Sequence, residues 1–127
     1  MNNDIENSII NVVNEARFTA NQLAVINAFY NSQNAGITII ELANRIGKIR
    51  NGQIGGILSK LAQKIDKLEQ PFLKFGFSGY RLFFDLNNDD LLIIRPEFRK
   101  VIDHNPKLKP VMEMNLIQIY KKFQNGL

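Results

Sequence analysis

Apolar residues recur at intervals of three and four along most of the chain, and this spacing predicts a largely helical protein. Over residues 4–16, Ile5, Ile9, Val12, Val13 and Ala16 share one stripe while Asn11, Asn14 and Glu15 fall off it, the pattern of an amphipathic helix. A second helix starts at Thr19, where Gln22 completes a capping box, and runs through Leu23, Ile26 and Phe29 to the polar break at 31–36. Thr38 and Glu41 repeat the box in a stronger form; Leu42, Ala43 and Ile46 are the buried side of that helix, and Gly47 is its stop. The longest periodic run follows over 51–68, with Ile54, Ile57, Leu58, Leu61, Ile65 and Leu68 on one side.

Pro71 forbids continuation of that helix. Residues 72–77 and 80–86 then read as two short strands about a tight turn at Ser78 and Gly79, a β-hairpin with Phe72, Phe75, Phe77, Phe83 and Phe84 as its packing. Residues 87–90 are a turn, and 91–94 form a strand or the start of a helix. Pro96 opens a helix over 96–103. A last helix runs from Leu108 or Pro110 to Phe123, with Val111, Met112, Leu116, Ile119, Tyr120 and Phe123 in one stripe and Met114 and Ile117 outside it.

A chain of 127 residues with 45% hydrophobic and 22% charged residues fits one domain over 1–127 with a core of its own. The absence of cysteine excludes disulfides, thiolate zinc sites and cysteine nucleophiles, and the single histidine, His104, leaves little for an imidazole metal centre. No cofactor is implied. The start Met-Asn-Asn-Asp-Ile-Glu has acids where a secretory signal has positive charge, and no apolar run approaches the roughly 20 residues of a membrane span. A cytoplasmic protein without membrane contact is expected.

The net charge of +4 is unevenly spread. Residues 45–81 hold eight basic residues against Asp66 and Glu69, whereas residues 1–44 hold Arg17 alone against four acids. A positive field on one central stretch suits a polyanion. In that stretch the order helix, capped short helix, tight turn, long helix and hairpin over 19–86 resembles a winged helix-turn-helix domain. The resemblance implies a mainly α fold with a small β-hairpin wing, flanked by an N-terminal helix at 4–16 and a C-terminal helical extension at 96–124. It also implies that 51–68 enters the major groove while the wing touches backbone or minor groove.

On the long helix, the side opposite the apolar stripe holds Gly52, Gly56, Ser59, Lys60, Gln63 and Lys67. Small residues there let a backbone approach closely, Gln63 can read a base edge, and Lys60 and Lys67 can neutralise phosphates. Alternatively the glycines mark a loop and the helix begins near Ile57. Arg50, Asn51, Gln53 and Lys64 complete the candidate set on this helix, and Lys74, Ser78, Tyr80 and Arg81 supply it near the wing tip. A small transcriptional regulator acting by occupancy of double-stranded DNA is the expected function; a winged helix that docks proteins without binding DNA is the alternative.

Other motifs fail. Asp85, Asn87 and Asp89 begin like a calcium loop, but Asp90 stands where glycine is needed and Pro96 where glutamate is. Ser59 and Ser78 have no evident base and no phosphate-loop pattern occurs, so no catalytic set is predicted. The terminal helices carry apolar stripes that lie outside the winged-helix segment, with Ile5, Ile9 and Val12 at one end and Leu116, Ile119 and Phe123 at the other. A homodimer through these helices is expected.

Overall fold

The computed structural model describes residues 4–32, 36–47 and 51–126. Among them run the helices α1 (Asp4–Glu15), α2 (Ala20–Ser32), α3 (Ile39–Ile46), α4 (Asn51–Glu69) and α5 (Pro71–Phe75), then a 3-10 turn (Gly79–Leu82). The strands β1 (Phe84–Leu86) and β2 (Leu92–Ile94) follow, and after them α6 (Pro96–Asp103), α7 (Leu108–Met112) and α8 (Leu116–Lys122). The protein is mainly helical with one small antiparallel hairpin, as the sequence predicts.

Both predicted capping boxes form. The Thr19 hydroxyl accepts the Gln22 amide at 3.1 Å while Gln22 Oε1 accepts the Thr19 amide at 3.0 Å, and Thr38 and Glu41 exchange the same pair of bonds at 3.1 Å each. Gly47 ends α3 in the left-handed region at φ 76°, where its amide reaches the Ala43 carbonyl. Helix α2 is the axis of the core, because every residue from Gln22 to Phe29 is buried and neighbours must therefore cover all its sides.

One face of α2 meets α3 and α4, another meets α7 and α8, and β2 lies against it as well. The Asn27 side-chain amide donates to the carbonyls of Val111 at 2.9 Å and Met114 at 3.1 Å, which satisfies a buried polar group between α2 and the carboxy-terminal helices. At its end, the Tyr30 hydroxyl donates to Asp103 and accepts from Lys109, while Arg99 lies 4.3 Å over the ring and donates to the Tyr30 carbonyl.

The hairpin is displaced from its predicted place. It is built from β1 and β2, with Phe84 opposite Ile94 and Leu86 opposite Leu92, and not from residues 72–77 and 80–86. Pro71 occupies the first turn of a new helix, where its missing amide costs nothing, so 71–75 coils. Phe83 and Phe84 enter the core instead of a two-stranded ribbon: Phe83 stacks on Phe98 with centroids 3.9 Å apart, and Phe84 meets Phe29 at 4.6 Å. Phe72 is left 65% exposed.

At the true turn, the Asn87 side-chain oxygen accepts the amides of Asp89 and Leu91, which closes the loop locally. Ile37 bridges Leu92 antiparallel, so the link between α2 and α3 adds a rung beside β2. The sequence helix, bridge, helix, helix, hairpin is compatible with a winged-helix arrangement.

Two further expectations change. The last helix is broken, because Asn115 caps α8 through a reciprocal box with Gln118; Met114 and Ile117, out of phase in the sequence, sit at this break. The terminal stripes face the chain's own core. Ile9, Val12 and Val13 are buried where α1 meets α4 and α6, and Ile119 and Phe123 are buried where α8 meets α2. The stripes that suggested a dimer are thus covered within one chain.

Glu69, at the end of α4, is buried beside α1 and accepts from Ser8 at 2.6 Å, from Asn11, and from Lys74 at 2.6 Å. Burial alone would raise its pKa, but these three donors together hold it below the ordinary 4.5. A carboxylate depressed in the fold stabilises it above the unfolded pKa, and that contribution fades as pH falls through the folded value. Denaturation curves between pH 6 and 3 are therefore expected to show an acid-side loss of stability below about pH 4.5. The Glu69→Gln variant should be less stable at neutral pH and lose less on acidification.

Candidate nucleic-acid interface

Helix α4 begins at Asn51, so Gly52, Gly55 and Gly56 lie within it and not in a preceding loop. Arg50 lies outside the described residues. Ile54, Ile57, Leu58, Leu61 and Ile65 are buried, which turns Gly52, Gln53, Gly56, Ser59, Lys60, Gln63 and Lys67 outward, all of them exposed. A β-carbon built on any of the three glycines meets no neighbouring atom within 4 Å, and none of the three has a positive φ. Neither packing nor backbone conformation requires glycine at these positions. Each instead costs the helix about 0.5–1 kcal/mol relative to alanine.

The flank of α4 toward α2 is cationic. The Lys64 ammonium donates to the Arg17 carbonyl and, at 2.9 Å, to Gln22 Oε1, and burial holds its pKa below the usual lysine value. It thereby fastens α4 to the start of α2, and among the described residues neither of these acceptors is a carboxylate. Lys60 and Lys67 stand one turn to either side of Lys64 on this helix. A recess of about 360 Å³ lies between the two helices, lined by Thr19, Asn21, Gln22, Gln53, Gly56, Ile57 and Lys60. Among the described lining residues Lys60 is the charged one. On the opposite flank, Asp66 accepts the Gly79 amide at 3.2 Å.

The residues expected at a wing tip are elsewhere. Lys74 is on α5 and pairs with Glu69; Ser78 precedes the 3-10 turn, and Tyr80 is half-buried within it. Arg81 pairs with Asp85 at 2.8 Å, and its carbonyl receives two bonds from the buried Arg95 guanidinium at 3.1 and 2.7 Å. These side chains brace the base of the hairpin. The tip itself is Asn87, Asn88, Asp89 and Asp90, two amides and two acids without a cation. The misplaced strands account for the difference, since moving the hairpin from 72–86 to 84–94 moves its tip off the basic stretch.

The structure therefore brings together the α4 part of the predicted set and disperses the rest. It also adds Asn21 at the recess and the Arg17 backbone carbonyl as an acceptor for Lys64, and nothing in linear order links the start of α2 to Lys60 and Lys64. Comparison with family models, curated proteins and solved structures found no significant match to this chain. Its function rests on its own geometry. Among the described residues, no helix is long and apolar enough to cross a membrane, and no three acidic or histidine side chains are grouped to hold a metal ion.

Proposed function

We propose that the protein binds double-stranded DNA through the exposed face of α4 and acts by occupying it, as a small regulator of transcription does. The observation that carries this reading is the run of glycines at 52, 55 and 56, helical, exposed and unneeded by the fold. A bare backbone of this kind lets a bulky partner come close. The cations Lys60, Lys64 and Lys67 along one side favour a polyanion as that partner, because charge placed this way neutralises phosphates without requiring a shaped pocket. A protein-docking role draws on a different feature, the exposed Phe72 and Leu73 of α5, which are 65% and 78% accessible at the other end of α4.

Fluorescence anisotropy with a labelled duplex, titrated between about 50 and 200 mM salt, tests the DNA reading. If roughly four to six phosphates are contacted, log affinity should fall against log salt with a slope of about −4 to −5. Lys60→Gln and Lys67→Gln should each make the slope shallower by about 1, whereas Lys74→Ala and Arg81→Ala should leave it unchanged because their charges are already paired within the fold. No binding at low salt by folded protein would reject the proposal.

A further inference from the structure

We infer that this interface takes duplex DNA of nearly any sequence, reading the backbone and the groove's shape and not its bases. The inference rests on the DNA reading and adds the class of target. A recognition helix discriminates bases through three or four side chains near its start, the part seated deepest in the groove. Here Gly52, Gly55 and Gly56 remove three side chains from that part.

The polar residues that remain among its described side chains are poorly placed or poorly selective. Gln53 and Lys60 line the recess against Thr19, Asn21 and Gln22, on the flank facing α2. Ser59 is outward, but a hydroxyl both donates and accepts and so pairs with either kind of base edge. Gln63 lies twelve residues after Asn51, about 18 Å up the axis at 1.5 Å per residue, beyond the entering turns. The hairpin tip opposes phosphate: it holds Asp89 and Asp90, the Asn87 oxygen is taken up by the turn, and the arginines at its base are engaged by Asp85 and the Arg81 carbonyl.

Among the described side chains, the attractive contributions that remain are ammonium groups on flexible stems, which meet phosphates at any base sequence. Discrimination is then limited to how easily a sequence adopts the groove width that α4 needs. One well-made bidentate base contact is worth about ten- to a hundredfold; a site-specific protein sums several and reaches roughly 10³–10⁷ over non-specific DNA. The described side chains of this face offer no such contact to sum.

The test uses the full chain and a duplex library with a central random stretch of about two helical turns, bound and recovered at moderate salt for several rounds and then sequenced. The expected result is no position enriched more than about threefold, with dissociation constants for ten unrelated duplexes within about tenfold of one another and a common salt slope. A motif of four or more fixed positions, bound about a hundredfold more tightly than the starting library, would overturn the inference and keep the DNA reading. Failure to bind any duplex would overturn both.

Discussion

Replacing Gly52, Gly55 and Gly56 together by alanine is expected to make the protein more stable and a worse DNA binder. The three positions are helical and exposed, with open space where each methyl would go, so the fold gains only helix propensity. At about 0.5–1 kcal/mol for each glycine, and less for Gly52 in the first turn, the gain is about 2 kcal/mol. Urea unfolding should show it as a higher midpoint with an unchanged slope. The same methyls stand on the face assigned to DNA and hold it away from the helix backbone, and affinity should drop by at least about tenfold, or 1.4 kcal/mol. Opposite signs in the two assays are the signature of a surface kept bare for a partner. Greater stability with unchanged affinity would remove these glycines from the interface.

Gly79→Ala is expected to destabilise the protein by roughly 2–4 kcal/mol. Gly79 is buried with φ +50°, and a β-carbon there would stand 2.5 Å from the Ala62 β-carbon of α4. Left-handed strain and overpacking both oppose the change, and each is worth more than 1 kcal/mol. Thermal or chemical unfolding measures the loss. Ala62→Gly alone costs the helix about 0.5–1 kcal/mol, so the contact is read from the cycle: the double variant should lose less than the two single losses added together, and strict additivity would show that the contact is not the cause. The close approach matters because the 3-10 turn is the joint between α4 and the hairpin.

Elements encoded by neighbouring residues were legible in the sequence. The boxes at Thr19 and Thr38 and the stop at Gly47 need only side chains and amides within one turn, and the three-and-four spacing of α4 persists over its length. What failed was pairing. The phenylalanines at 72, 75 and 77 look like strand residues, yet a strand needs a partner at the right register, and Phe83 and Phe84 gain more by joining Phe18, Phe29 and Phe98 in the core. The Asn87 turn and the apolar run after it were visible, but their use as the hairpin depended on Ile37 and Leu92 meeting across the chain. The α4 half of the candidate site was legible because it lies on one helix. Its α2 side was not, because Lys64 reaches Arg17 and Gln22 only after folding.

Because α2 is buried on every side, the part proposed to face DNA cannot be cut out alone. That helix is a wall shared by two rooms: α3 and α4 use one surface, α7 and α8 the other, and the Asn27 side-chain NH2 donates to the Val111 and Met114 carbonyls on the second. Cutting the chain after Ile94 would uncover the side of α2 that meets α7 and α8 and strand the Asn27 amide. The segment between Thr19 and the hairpin is therefore not a portable module. Its shape is maintained by helices that come after it in the chain, and a lesion around Val111 or Ile119 would cost α4 its scaffold without altering a single residue on the face that α4 turns outward.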